Sequence, residues 1–183
     1  MGLTHVLFSL FLFLTFCRFG LVSFEAIVLV TLVVGSVLPD LDHPRGLIYS
    51  LLGVPIWLRR GVSRVVGQRG VLHSFLASMF VLILGVVIFN VVFQFTLISS
   101  LGMFFGFLSH LSLDSLTARG VAWLLPFSRK KVRFTIQTGS MTERIFFIIL
   151  AALSVILGFP LLLDLFDSVL KELKTLLIGF PRI

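Results

Sequence analysis

Residues 70–113 read GVLHSFLASMFVLILGVVIFNVVFQFTLISSLGMFFGFLSHLSL, which is 44 positions without Asp, Glu, Lys or Arg. At about 1.5 Å per residue, a continuous helix of this length would extend roughly 66 Å, about twice the thickness of the hydrocarbon core of a bilayer. The stretch therefore predicts two membrane crossings. We place the turn between them near Gln94–Gly102, where polar residues and glycine interrupt the apolar pattern.

The composition of the whole chain agrees with a membrane protein. Of its 183 residues, 58% are hydrophobic and 13% are charged, and the mean hydropathy is +1.14. Soluble domains are about 45–50% apolar and about 25% charged, and a small domain cannot bury this much apolar surface. Disordered and coiled-coil chains are excluded by the same values. The single cysteine, Cys17, allows no internal disulfide and no cysteine-based zinc site.

The remaining charge-free stretches complete a five-helix topology. The predicted spans are 3–17, 22–39, 74–93, 99–115 and 145–163. We therefore expect an all-α, polytopic membrane bundle with one membrane-embedded domain over 1–163 and an amphipathic C-terminal segment over 164–183. A cleaved signal peptide is the alternative for residues 1–20, although that stretch lacks a basic amino-terminal region and a small-residue cleavage site.

Basic residues are concentrated in two of the predicted connections. Residues 40–73 carry five and residues 114–144 carry six of the 15 Lys and Arg. With five spans these connections lie on one face, and the positive-inside rule assigns that face and the N-terminus to the cytoplasm. Because topology accounts for the net charge of +7, we expect membrane lipids as partners and no nucleic acid.

The same connections carry signs of local structure. Leu47–Leu58 is an apolar run too short to cross a bilayer, which predicts a re-entrant or interfacial segment. Arg59–Arg69 follows as a basic, partly amphipathic segment at the headgroup level. Apolar and polar residues alternate over 132–137, and with Val121–Leu125 before the turn they predict a small hairpin on the cytoplasmic face.

Histidines and aspartates lie at the predicted cytoplasmic ends of the spans. They are His5, Asp40, Asp42, His43, His73, His110 and Asp114. Imidazole and carboxylate suit Zn²⁺ and related divalent ions. An ionised Asp at the hydrocarbon level costs about 2.5–3.5 kcal/mol on insertion scales, so clustered acids at this depth indicate a functional site. We therefore predict that these residues share one metal site.

Two spacings support the metal site, and each also has a structural explanation. His110 and Asp114 are four residues apart, which places both side chains on one side of a helix. A helix-end histidine with a capping aspartate would give the same spacing. The segment Pro39–Pro44 places three potential ligands, two aspartates and a histidine, within four residues, and it would also serve as a polar helix stop. A catalytic zinc uses three protein ligands, so seven candidates are enough for one or two ions.

The predicted site favours phosphoester hydrolysis. Two divalent ions commonly activate water for attack on phosphorus, and we assign Asp40, His110 and Asp114 to catalysis. Arg45, Arg69 and Arg119 are predicted to bind phosphate oxygens. The location at the membrane points to a lipid or lipid-linked phosphoester. The alternatives are a divalent metal-ion transporter and a non-catalytic membrane scaffold that binds a cytosolic regulator through its basic loops.

Five motifs resemble the YdjM-like inner-membrane metal-dependent hydrolases. They are Thr4-His5, Gly35–Pro44, Arg69–Ser74, His110–Asp114 and Gly120–Phe127, which follow the order of the family and cover most of residues 4–127. The relation of that family to zinc-dependent phospholipase C and fungal zinc nucleases implies zinc-dependent hydrolysis. Its link to a transcriptional repressor implies a cytosolic partner. One position departs from the family, because Gln68 stands where a histidine is frequent.

The resemblance also implies how the ligands are shared. Asp40, His73, His110 and Asp114 would hold one ion, and Asp114 would bridge to a second. His5 would hold that second ion, and Asp42 or His43 would complete its coordination.

Overall fold

Helices form the regular secondary structure of this chain in a computed structural model, which describes residues 2–44, 46–66, 70–92, 97–137 and 139–178. The α-helices of this part of the chain are α1 (Gly2–Arg18), α2 (Ala26–Val37), α3 (Leu47–Leu51), α4 (Ile56–Val66), α5 (Phe75–Gly85), α6 (Leu97–Ser115) and α7 (Met141–Ile178). Two 3₁₀ turns, Pro39–Asp42 and Val71–His73, connect them, and a π-helical segment, Val86–Val92, follows α5. The all-helical fold predicted from the sequence is confirmed for these residues.

The five predicted spans coincide in position with α1, α2, α5 with its π-helical extension, α6 and α7. Two helices of the described chain are long and apolar enough to cross a bilayer alone, namely α6 and the Met141–Lys171 part of α7. The others are shorter, at 17 residues for α1 and 12 for α2. Two spans are therefore supported by length and hydropathy, and five crossings stay a prediction.

The last helix joins two segments that the sequence distinguishes. The predicted span over 145–163 and the amphipathic segment that follows it form one helix, because α7 runs without a break through Pro160 to Ile178. The reason is local, because residues 161–178 contain neither glycine nor proline and so carry no helix-stop signal. At about 1.5 Å per residue, its 38 residues extend roughly 57 Å.

Glycines set the distance between α2 and α6. A Cβ atom added at Gly35 would overlap the carbonyl oxygen of Met103, and one added at Gly106 would overlap that of Leu32. Gly102 and Gly106 form a small-xxx-small pattern, which allows the backbones of packed membrane helices to approach closely. This crossing brings the last turns of α2 and α6 together.

The first helix packs against the same pair. The hydroxyl groups of Ser9 on α1 and Ser109 on α6 are in contact within the buried interior. Further along α1, Phe13 and Leu14 join Leu32 of α2 in a buried apolar cluster. The N-terminal turn of α1 is thereby held beside the C-terminal turn of α6.

The basic connections form less regular structure than predicted. In place of a hairpin of two strands, the structure has an isolated antiparallel bridge in which Val121 and Val132 exchange hydrogen bonds of 2.9 Å. The alternation over 132–137 does not mark a buried face, because Phe134 is 60% exposed. The apolar run 47–58 forms α3 and the start of α4, which are too short to span a bilayer.

Candidate metal centre

Four segments far apart in sequence supply one cluster of imidazoles and carboxylates. The residues come from the first turn of α1, the two 3₁₀ turns, and the last turns of α6. They are His5, Asp40, Asp42, His73, His110 and Asp114, and the structure connects them through a chain of short distances. The predicted convergence of the site is therefore present in the structure.

The innermost group consists of His5, His110 and Asp114. Each offers a ligand atom, these atoms lie within 4.8 Å of one another, and all three side chains are buried. The rings of His5 and His110 stack with centroids 3.7 Å apart and an angle of 11° between their planes. One ion can therefore be reached by all three side chains.

Asp114 is the hub of the wider cluster. Its Oδ1 lies 3.6 Å from His5 Nε2, and its Oδ2 lies 3.4 Å from His73 Nε2 and 3.8 Å from His110 Nε2. Its two carboxylate oxygens thus face three imidazole rings, which is the arrangement expected of a carboxylate that could bridge two ions.

The aspartates of the first 3₁₀ turn extend the cluster on two sides. Asp42 Oδ2 lies 3.0 Å from His73 Nδ1, and Asp40 Oδ1 lies 3.9 Å from His110 Nε2. Asp42 is buried, whereas the Asp40 side chain is 20% exposed. Asp40 is therefore the carboxylate of this turn that is more accessible to a ligand or to water.

Unpartnered nitrogens inside the cluster fit a cation. His110 Nδ1 lies 2.7 Å from the carbonyl oxygen of Ser36, so this nitrogen carries the proton and Nε2 presents a lone pair. His110 Nε2 and His5 Nδ1 are buried without a hydrogen-bond partner. Buried polar atoms are rarely left unpaired because the loss of hydration is costly. A divalent ion with imidazole and carboxylate ligands would satisfy such an atom.

The pKa of His73 also indicates that the cluster favours a positive charge. Burial by itself would lower the pKa of this imidazole, but the adjacent carboxylates of Asp114 and Asp42 outweigh burial and raise the pKa to about 9. In the absence of a cation, the buried carboxylates thus favour a proton on His73. A bound divalent ion would supply that positive charge instead.

Neighbouring residues hold the ligand-bearing turns in place. The buried Tyr49 of α3 donates a hydrogen bond of 2.6 Å from its hydroxyl to the carbonyl of Leu41, between the two aspartates. Trp123 connects the other two segments, because its Nε1 donates to Ser115 Oγ at 2.8 Å and its carbonyl accepts from the Phe75 backbone at 2.8 Å. These supports depend on tertiary contacts and were not identified from the sequence.

The cluster opens into a cavity of about 660 Å³. His43 lines this cavity, and so does Arg119, as the predicted role in substrate binding requires. Lys131 and Arg133 line it as well, although sequence reasoning had not assigned them to the site. Lys131 and Arg133 are two residues apart in an extended segment, so their side chains lie on the same side. This spacing could have identified them from the sequence. The predicted phosphate ligands Arg45 and Arg69 lie outside the described residues.

Comparison with known proteins identifies the family. The family model described as YdjM inner membrane protein matches residues 1–177. The chain is 38% identical over 112 residues to the proteins named inner membrane protein YdjM of Escherichia coli (strain K12) and Shigella flexneri. Each match covers 58% of this chain and 54% of the relative, so the chain spans about half the length of these curated relatives. No solved structure matches the chain.

These descriptions support the predicted location in the inner membrane and name no reaction. The match extends over all four segments that supply the metal cluster. The chain therefore belongs to the YdjM inner membrane protein family.

Proposed function

We propose that this chain is a membrane-bound, metal-dependent hydrolase of a phosphoester in a lipid or lipid-linked substrate. The observation that carries the proposal is a cluster of three imidazoles and three carboxylates that opens into a cavity lined by basic side chains as well. Imidazole and carboxylate ligands favour Zn²⁺, as one or two ions.

Within this proposal the ligand roles follow from the distances. His5, His110 and Asp114 form the tightest group, and His73, which lies beside Asp42 and Asp114, belongs to a second set that shares Asp114. When bound, the ions would supply Lewis acidity and lower the pKa of a bound water, so that this water can lose a proton near neutral pH.

The side chains of the chain itself orient and neutralise the reactants. Asp40 faces the cavity and is placed to accept a proton from the attacking water. Arg119 is placed to bind phosphate oxygens through two parallel hydrogen bonds. As the water oxygen bonds to phosphorus, the ester P–O bond breaks, the leaving oxygen takes a proton from solvent water, and Asp40 returns its proton to the solvent.

We place the reaction at the cytoplasmic surface of a five-span bundle. The ligands lie at helix ends, and the basic residues of the chain are concentrated in the connections beside them. Metal transporters hold their ions near the midplane between structural repeats. The position at the helix ends therefore favours an enzyme over the transport alternative.

Hydrolysis of phospholipids by the purified protein in zinc-containing detergent micelles tests the proposal. We expect activity to fall at least about a hundredfold with a chelator or with Asp114→Asn, which exceeds the roughly 10–100-fold typical of outer-shell changes. Asp164→Asn, which alters an exposed acid on α7, is the matched control and should retain activity and bound zinc.

Metal content measured on the same samples separates loss of the ion from loss of the fold. Activity that persists unchanged in the chelated protein and in Asp114→Asn would overturn the hydrolase proposal. Zinc retained in full by a folded Asp114→Asn would overturn the assignment of the metal ligands.

A further inference from the structure

Three basic residues also line the cavity into which the metal cluster opens. Arg119, Lys131 and Arg133 line it together with Asp40, Asp42 and Asp114. We infer that this basic trio selects phosphoester lipids whose headgroups are anionic and discriminates against zwitterionic ones. The inference rests on the proposed hydrolase function and specifies the class of its substrate.

The local backbone explains how three basic side chains come to line the same cavity. Val132 pairs with Val121 in the antiparallel bridge. Successive side chains of an extended segment alternate in direction, so Lys131 and Arg133 lie on the same side. Across from them, Gly120 has a φ of +66°, and a Cβ atom there would press against Arg133. This close approach at glycine brings Arg119 beside Arg133.

Charge balance indicates what the cavity can accept. Among the described residues that line the cavity, three aspartates and three basic residues have equal and opposite formal charges, and the proton on His73 adds one positive charge that a bound divalent ion replaces. One divalent ion then leaves two positive charges to be neutralised, and two ions leave four. A phosphodiester supplies one negative charge, and the ammonium of a zwitterionic headgroup cancels it. A headgroup with further negative charge complements the site better.

The size of the cavity leaves room for a whole headgroup. Its volume of about 660 Å³ is in the middle of the range for small-molecule sites. All three basic side chains are exposed at the surface of the connection, where a lipid headgroup in the adjacent leaflet can reach them. Positive charge at this location also follows from membrane topology, so a control must separate the two effects.

Arg129 and Lys130 provide that control. They are exposed, belong to the same connection, and are not among the residues that line the cavity. A general attraction to an anionic membrane surface would depend on these two residues as much as on the trio. Selection inside the cavity would depend on the trio alone.

The experiment compares three lipids that are cleaved at the same glycerol–phosphate bond, namely phosphatidylethanolamine, phosphatidylglycerol and phosphatidic acid. The zinc-loaded full chain is assayed in mixed micelles of constant surface charge. Because phosphatidylglycerol and phosphatidylethanolamine are both phosphodiesters, we expect kcat/KM for the anionic phosphatidylglycerol to exceed that for phosphatidylethanolamine by at least about tenfold, since hydrogen bonds between charged groups contribute this much. Arg119→Gln/Lys131→Gln/Arg133→Gln should reduce the ratio to within about threefold of unity. Arg129→Gln/Lys130→Gln should leave the ratio unchanged.

Equilibrium binding of the same lipids, measured without turnover, separates the headgroup inference from the hydrolase proposal. Trio-dependent preference for anionic lipid in binding, without hydrolysis of any lipid, would support the headgroup inference while overturning the hydrolase proposal. Zinc-dependent hydrolysis that favours phosphatidylethanolamine, or a preference that the triple variant retains, would overturn the inference while leaving the hydrolase proposal intact. Binding of inorganic phosphate as tightly as phosphatidic acid would overturn the lipid-borne source.

Discussion

Asp114 lies close to imidazoles from three separate segments of the chain. The best-defined ring is His110, whose Nδ1–H is directed at the Ser36 carbonyl. The turn that bears the aspartates is stabilised by the hydrogen bond that the hydroxyl of Tyr49 donates to it. Metal affinity at such a site depends on these outer contacts nearly as much as on the ligands.

Tyr49→Phe tests this outer support. The substitution keeps the ring but leaves the carbonyl of Leu41 without its hydrogen bond inside the aspartate-bearing turn. We expect zinc affinity, measured by calorimetry, to fall about tenfold, and stability to fall by about 1 kcal/mol. Trp57→Phe is the control, because Trp57 is 71% exposed on α4. Equal zinc affinity in both variants would contradict a supporting role for Tyr49.

At the scale of elements, the crossing of α2 and α6 decides the geometry of the site. Asp40 and Asp42 follow directly after α2, whereas His110 and Asp114 occupy the last turns of α6. The glycines at the crossing let the two backbones approach closely enough for the His110 ring to reach the α2 backbone. Helix packing and metal binding are therefore coupled.

Gly106→Ala should disturb both helix packing and metal binding. The added methyl group would overlap the carbonyl oxygen of Leu32, and overpacking of this kind costs about 1–3 kcal/mol. We expect a lower melting temperature in detergent and weaker zinc binding. Gly61→Ala on α4 is the matched control, because nothing lies within 4 Å of the added Cβ atom, and it should leave stability unchanged or raise it by about 0.5–1 kcal/mol. Identical melting of the two variants would contradict the packing role of Gly106.

For the whole molecule, the distribution of apolar surface indicates how it sits in the inner membrane. Much of α7 is exposed, and its large apolar side chains include Ile148, Val155, Phe159 and Phe166. In a bilayer such a face is covered by lipid, whereas the polar ligands are enclosed by the neighbouring helices at one end of the bundle. This organisation is consistent with a site at the membrane surface.

Cysteine labelling tests the proposed orientation. In a Cys17→Ala background, a membrane-impermeant thiol reagent should label Ser23→Cys in intact spheroplasts and Lys130→Cys in inverted vesicles. The reason is that the positive-inside rule predicts a cytoplasmic location for the basic connections, and both positions are exposed. Labelling of Lys130→Cys in spheroplasts that exclude the reagent would contradict a cytoplasmic site.

The class of fold could be predicted from the sequence because hydropathy and helix formation are local properties. In a bilayer, a helix satisfies its backbone hydrogen bonds within one segment, so long apolar stretches indicate helices directly. The histidines and aspartates at the span ends could also be predicted, because hydropathy locates the ends of the spans. The predicted span end at residue 163 is not a helix boundary, because the pattern of charges changes there without any residue that ends a helix.

The amino-acid sequence alone therefore determined that this chain is helical, belongs in a membrane, and carries imidazoles and carboxylates at the ends of its apolar segments. Only the tertiary structure decided that Asp114 lies at the centre, that Ser36 orients His110, and that Lys131 and Arg133 line the cavity. The physical reason is sequence separation. Contacts such as that between residues 36 and 110, which are 74 positions apart, depend on how helices pack, and a local pattern does not specify that packing.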